Sequence, residues 1–292
     1  MVVSIDDLTC LDALIWLGSG EIAAQKINST QSTVSRVARR VAEEFGVNLI
    51  KGDKEWLVVG DAHYLNLQRQ LHQSIRWNQD GAIRLEAQYY SGPFLLEELG
   101  DDFLLGNFDF LDVNKPTELL RSGVLDVWLA GYPDVPAEND PDLQCFALTR
   151  LPLYVVVTAN HPLTKLGDAV TLADVADYPC LALKDGAFPE AQRRLEALGL
   201  WNTPARVHRY KPEKWLGLTS DQVTVGYASS FSISLFPEPM VTLPIDLDFI
   251  VGECLVVKRE YAEHPRFKRL LELMQQRSIR LAASFSDVSI AF

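Results

Sequence analysis

Ser29-Thr30-Gln31-Ser32-Thr33-Val34-Ser35-Arg36-Val37-Ala38-Arg39-Arg40-Val41-Ala42-Glu43-Glu44-Phe45-Gly46 carries the most informative pattern of the chain. At about 100° per residue, Val34, Val37, Ala38, Val41 and Phe45 fall on one side of a helix over 31–45 and must face a core. Ser32, Ser35, Arg36 and Arg39 gather on the other side, with Arg40 at its flank. Thr30 supplies an N-cap hydroxyl, and Gly46 stops the helix just beyond its last turn. Short hydroxyl side chains let a backbone approach base edges in a major groove, and arginine grips guanine in a bidentate fork or holds phosphate. Gln31, with Thr33 in the same first turn, is placed to read adenine where backbone N–H groups also favour a phosphate. The competing reading of the same face is a solvated surface.

Working outward, Leu8, Leu11, Leu14 and Ile15 form one apolar stripe of a helix that ends near Gly18-Ser19-Gly20, and a short helix over 21–27 follows. A second helix separated from the third by only Asn28-Ser29-Thr30 reads as helix-turn-helix. Beyond Gly46, apolar runs at 47–50 and 56–59 flank Lys51-Gly52-Asp53-Lys54-Glu55, the pattern of a β-hairpin wing. Lys51 and Lys54 are its phosphate-contact candidates, partly cancelled by Asp53 and Glu55. From 61 to about 79 a polar helix spaces Tyr64, Leu67 (or Gln68), Leu71, Ile75 and Asn78 near a heptad, as a dimerising linker requires. Its alternative is a single amphipathic helix packed on its own chain. Gly81 ends it.

After Gly81, strand and helix signals alternate, which marks α/β architecture. Strands are expected at 83–87, 108–113, 125–130 and 153–157, with helices at 94–99 and 116–122. Following His161-Pro162-Leu163, Thr171-Leu172-Ala173-Asp174 reads as a capping box. Then come a strand at 180–183, a helix at 188–198, a strand at 205–210, a helix from about 212 and a strand at 223–228. A strand at 253–258 and a helix at 265–276 return to the first lobe, which leaves a cleft between two lobes for a small ligand.

The chain of 292 residues, 48% of them apolar, is long enough for two or three compact units. Its net charge of -12 runs against nucleic-acid affinity, yet residues 22–42 contain no acid and carry Lys26, Arg36, Arg39 and Arg40. No apolar run approaches the roughly 20 residues of a membrane span, and the first residues carry acids rather than a basic secretory start, so a cytoplasmic protein is expected. Cys10, Cys145, Cys180 and Cys254 lie far apart and read as free buried thiols, with no metal site and no cofactor. His63, His72, His161, His208 and His264 are scattered, and no nucleophile elbow, phosphate loop or metal-ligand spacing occurs, so no enzyme is expected.

Residues 29–36 and 41–50 together resemble the recognition-helix region of LysR-type transcriptional regulators, with its Thr-Gln-Pro-Ala-Val-Ser-Arg and Leu-Glu-x-x-Leu-Gly-x-x-Leu-Phe patterns. Ser32 stands where proline is usual, Val41-Ala42 replaces Leu-Glu and Ile50 replaces Phe. Gly18-Ser19-Gly20-Glu21-Ile22-Ala23-Ala24 is similar to the family's Gly-Ser-Phe-x-x-Ala-Ala. Ser122-Gly123-Val124-Leu125-Asp126-Val127, the 155–163 strand closing on His-Pro-Leu, and 170–178 extend the likeness. The resemblance implies an N-terminal winged helix-turn-helix (1–60), a linker and dimerisation helix (61–81), and a two-lobed α/β effector-binding domain of periplasmic-binding-protein type (82–292). Its first lobe would be 82–160 with 250–292, its second 161–249. Partners implied are double-stranded promoter DNA, a small-molecule effector and copies of the chain itself as homodimer or homotetramer, with no membrane.

In that fold the effector positions fall on Tyr89, Tyr90, Ser91, Gly131, Thr158, Lys211, Ser229 and Ser230. Mundane alternatives exist: the tyrosines as packing, Ser91 as a cap, Lys211 as a solvated charge. Convergence of Lys211 and Ser91 on the cleft would favour an anionic effector. The rival to a regulator is a cytoplasmic small-molecule-binding protein of the same fold with weak or lost DNA binding.

Overall fold

The computed structural model describes residues 3–52, 55–79, 81–204, 209–211, 223–236 and 238–292. In chain order the elements begin α1 (Ile5–Leu17), α2 (Gly20–Lys26), α3 (Gln31–Glu44), β1 (Asn48–Gly52), β2 (Glu55–Val59), α4 (His63–Asn78), β3 (Ile83–Ala87), α5 (Gly92–Leu95), β4 (Phe103–Leu105), α6 (Asn114–Arg121) and β5 (Val127–Tyr132). They continue β6 (Leu143–Ala147), β7 (Thr149–Pro152), β8 (Tyr154–Thr158), α7 (Leu172–Ala176), β9 (Leu181–Ala182), α8 (Pro189–Ala197), β10 (Thr203–Pro204), β11 (Gly226–Ala228), α9 (Ser230–Ile233), β12 (Met240–Thr242), β13 (Ile250–Lys258), α10 (Pro265–Ser284) and β14 (Ser289–Ile290). Two compact units result, one of Met1–Glu86, Leu99–Asn107 and Thr117–Trp128, the other of Ala87–Glu98, Phe108–Pro116 and Leu129–Phe292.

In the first unit, α1 is buried more completely than one apolar stripe implies. Leu8 and every residue from Cys10 to Leu17 are buried, because Cys10, Ala13 and Leu17 carry the apolar surface round the helix. Its ends are set locally: Ser4 Oγ accepts the Asp7 N–H, and Gly18 takes φ 67. Val34, Ala38, Val41 and Ala42 of α3 are buried and α3 packs on α1 and α2. β1 and β2 pair antiparallel, placing Lys51 opposite Trp56.

The same unit holds a buried ionic network. Asp12 accepts from Arg69 Nε at 2.8 Å and from Arg84 at 3.1 Å. Asp126 accepts from Arg76 Nε and Nη2, both at 2.9 Å, from Gln73 Nε2 at 3.0 Å and from the Arg84 backbone N–H at 2.9 Å. Burial, with the neighbouring Arg76 charge, pulls the Arg84 guanidinium down to about 10, so it stays charged at neutral pH. Trp16 Nε1 donates to the buried Glu86 at 2.6 Å. These contacts turn α4 inside out relative to a simple amphipathic helix: Gln68, Arg69, His72, Gln73, Arg76 and Trp77 are buried, while Tyr64, Leu67 and Leu71 are 70%, 48% and 53% exposed.

β3 and β4 pair parallel, Ile83 opposite Phe103. The strand expected at 108–113 is therefore displaced to 103–105. Gly106 leaves the sheet directly after it, where a Cβ would sit 2.0 Å from the Glu86 carboxylate. Phe108 takes φ 53, and Phe110 keeps only isolated bridges.

In the second unit, β13 pairs antiparallel with β6 and with β7, and β14 pairs with β7. Separately, β8 lies between β11 and β12, and β9 pairs parallel with β10. β8, assigned by sequence to the end of the first lobe, thus pairs with strands assigned to the second. Val155, Val157, Val175, Cys180, Leu195, Leu200, Val225 and Phe249 form the core around it. The expected capping box is present, with Thr171 and Asp174 each accepting from the other's backbone N–H. The helix expected at 94–99 is the single turn α5, and the C-terminal helix runs on to Ser284. The strand at 205–210 and the helix from 212 fall mostly outside the described residues. All four cysteines are free.

Glu253 is buried on β13, with Thr149 Oγ1 donating to its carboxylate. Burial pushes the carboxyl up to about 7 against its ordinary 4.5, although the Thr149 hydrogen bond and the Arg150 charge oppose the rise. Unfolding lets the group ionise at lower pH, so its contribution to stability is complete below 4.5 and is lost as pH rises towards 7. Glu253→Gln is expected to flatten the fall in urea midpoint between about pH 5 and pH 8. Parallel slopes for the two proteins would refute the assignment.

Candidate functional site

The first candidate is the outer face of α3. Thr30 Oγ1 accepts the Thr33 N–H at 3.2 Å and gathers the hydroxyls of Ser32 (3.1 Å) and Thr33 (2.9 Å) at the helix start. Gly20 lets α2 begin against α3, since a Cβ there would lie 3.3 Å from Gln31 Cγ and 3.4 Å from Ser35 Oγ. Gln31, Ser32, Arg36, Arg39 and Arg40 are exposed, and Thr33 and Ser35 half-buried. Arg40 reaches Asp7 at 2.6 Å and Glu44 at 3.9 Å. Among the described residues Arg36 and Arg39 have no acidic partner. Lys26, part of the same basic stretch, donates to the Gly106 carbonyl at 3.2 Å. Lys51 lies over the Trp56 ring at 5.4 Å, and Lys54 lies outside the described residues.

The second candidate is a cavity of about 140 Å³ in the second unit, partly open to solvent. Tyr89 and Tyr90 enter from the turn after β3, Gly131 and Tyr132 from the end of β5, and Pro133 and Asp134 from the loop beyond. Leu153, Leu181, Leu183, Phe188, Ala191, Leu195, Trp201, Tyr227, Phe249 and Val251 complete an apolar, aromatic wall. Tyr89 stacks on Tyr210 with ring centroids 4.2 Å apart, and it meets Tyr90 edge-on at 5.3 Å. Gly131 is required by this arrangement, because a Cβ would stand 2.1 Å from the Tyr90 hydroxyl. Burial pushes the Tyr89, Tyr90 and Tyr227 phenols up, which keeps them neutral hydrogen-bonding groups.

Three of the eight effector candidates, Tyr89, Tyr90 and Gly131, line this cavity. Ser91, Thr158 and Ser230 do not, but each has a buried hydroxyl without a partner among the described residues, as does the amide of Gln88. Ser229 caps α9 by accepting the Ser232 N–H, and Lys211 is exposed to solvent. Sequence reasoning missed Asp134. Its carboxylate accepts the N–H groups of Glu190 at 2.7 Å and Ala191 at 3.0 Å, in the first turn of α8. Phe188 at the N-cap position supplies no side-chain bond, so Asp134 replaces the missing cap. Burial pushes the Asp134 carboxyl above its ordinary value, while the two N–H donors pull it down. The signal available in sequence was Pro189, a helix-starting proline with no capping residue before it. Among the described residues no group of three or more His, Cys, Asp and Glu is placed to hold a metal.

Residues 107–278 match the family model described as the LysR substrate binding domain. A full-length OxyR variant from Pseudomonas aeruginosa superposes with TM-score 0.55 at 18% identity, covering 99% of this chain and 98% of that one. Full-length CbnR, solved in complex with its target DNA, gives TM-score 0.55 at 18% identity over 94% of this chain and 100% of that one. Full-length BenM gives 0.52 at 21% identity over 98% and 99%. No curated protein matches.

Proposed function

Because this chain belongs to the LysR family of transcriptional regulators, we propose that paired copies of it recognise double-stranded promoter DNA through α3 and respond to a small-molecule effector bound in the aromatic cavity. The observation that carries this reading is the exposed α3 face, where Arg36 and Arg39 have no acidic partner among the described residues, in a chain of net charge -12. In this reading residues 1–60 are a winged helix-turn-helix head, 61–81 the pairing helix and 82–292 a two-lobed effector-binding region. The protein works as a homodimer or homotetramer in the cytoplasm and is not an enzyme. No helix among the described residues is long and apolar enough to cross a membrane.

Pairing is assigned to α4. Its buried face is committed to Asp12 and Asp126 of its own unit, so the open stripe Tyr64, Leu67 and Leu71 is the surface left for a second copy. Two paired heads present two α3 helices to a two-fold symmetric site. Effector binding that favours one packing of the pair over another then changes the spacing of those helices.

Selection of the full-length protein against a random-sequence DNA duplex library tests the reading. The expected result is enrichment of a motif with two-fold related half-sites and an affinity that falls steeply with salt. With Leu71→Glu the symmetric enrichment is expected to be lost and the binding to weaken at least tenfold. No enrichment by the unaltered protein would favour the second reading, a small-molecule-binding protein without DNA recognition, towards which the Arg40–Asp7 pair and the acidic total both point.

A further inference from the structure

We propose that the cavity beside α8 selects an uncharged, single-ring-sized aromatic or apolar ligand and excludes carboxylates, because Asp134 already occupies the helix N-terminus that would otherwise receive an anion. The inference rests on the effector reading above and adds the chemical class.

A helix N-terminus attracts negative charge through its free N–H groups and its dipole. In α8 the proline at the first position has no N–H, and the next two N–H groups are held by Asp134 at 2.7 and 3.0 Å. That end of the helix is filled by the protein's own carboxylate, 6% exposed. An incoming anion would meet this carboxylate instead of free donors. Among the described residues no lysine, arginine or histidine lines the cavity to offset the repulsion. Two cations do approach its walls: Arg150 stacks on Tyr132 at 4.0 Å and Arg194 on Phe249 at 5.1 Å. Neither lines the cavity, and Arg150 also donates to the Thr149 carbonyl at 2.7 Å. Burying an anion there without a partner cation is strongly unfavourable. A cation is attracted by Asp134, but a single carboxylate already holding two backbone N–H groups repays only part of the desolvation of a buried ammonium. What remains favourable is apolar contact with the aromatic wall, and a volume of about 140 Å³ suits a molecule of benzene's size, as engineered apolar cavities of similar volume do.

The test is calorimetric titration of the full-length protein with 2-phenylacetamide, phenylacetate and 2-phenylethylamine, which share a ring and differ in charge. The amide is expected to bind at least tenfold more tightly than either ion. Ala191→Phe, which fills the cavity, is expected to abolish its binding; Leu153→Trp serves as the second filling variant should the first not fold. Asp134→Asn is expected to shift the ratio of phenylacetate to amide affinity at least tenfold towards the acid. Tighter binding of either ion by the unaltered protein, amide binding that survives both filling variants, or no binding of the amide, overturns the proposal. Each titration is repeated in the presence of the selected DNA. Amide binding that leaves DNA affinity unchanged would keep the ligand class and overturn the effector role, whereas an effect of phenylacetate alone on DNA affinity would do the reverse.

Discussion

Replacing Asp126 with alanine is expected to destabilise the protein by about 3–5 kcal/mol, the range for removing one member of a buried ion pair. Asp126 is fully buried and accepts four hydrogen bonds, two of them from Arg76 and one from the Arg84 backbone. Its loss removes the carboxylate from beside the buried Arg76 guanidinium, which also donates to the Gly123 carbonyl at 2.8 Å, and frees the start of β3. Set against a typical stability of about 5–15 kcal/mol, that is a large fraction. The readout is the urea midpoint of full-length protein followed by tryptophan fluorescence, Trp16 and Trp77 being buried in the same unit. Asp126→Asn, which keeps the shape and part of the hydrogen bonding, should fall between parent and alanine variant. The double change Asp126→Leu with Arg76→Met should recover part of the loss, because a buried pair replaced as a whole by apolar groups is far less damaging than half a pair. A midpoint unmoved by Asp126→Ala would show that the network is not closed from water.

The second large effect is on DNA. Arg36→Ala is expected to weaken binding to the selected duplex by about 1–3 kcal/mol per half-site, hence roughly thirtyfold or more for a paired protein, and to relax preference at one position. Arg40→Ala should do less, because Arg40 is already engaged with Asp7 and Glu44. Fluorescence anisotropy at two salt concentrations separates the two. A base-reading arginine changes specificity, whereas a phosphate-binding one mainly lowers the salt slope. Unchanged affinity and sequence preference in Arg36→Ala would remove α3 from the interface.

The parts of this protein that were legible in its sequence depend on near neighbours. The Thr30 cap, Gly46 at φ 69 and the Thr171–Asp174 box each involve residues within a turn or two, and the structure places them as read. Of the expected α3 stripe Val34, Ala38 and Val41 are buried, whereas Val37 and Phe45 are half-buried and Ala42 takes a place in the core. For the candidate effector site, the family resemblance implied Tyr89, Tyr90 and Gly131, which line the cavity, whereas the residues from α8 and β13 that close it were not implied. Strand 103–105 was misplaced because its end depends on Gly106 meeting Glu86, twenty residues earlier.

Local pattern thus sets the N-terminal helices, the polar face of α3 and the alternation that makes the rest α/β. Long-range packing alone set the orientation of α4, with its polar face and Leu65 inward and Leu67 and Leu71 outward, and made Asp134 the cap of α8. The physical reason is the same in both cases. Periodicity and caps are satisfied within a few residues, but a buried charge is satisfied by whichever partner the fold delivers. Here those partners lie 57 residues away for Arg69 and Asp12, and 56 for Glu190 and Asp134.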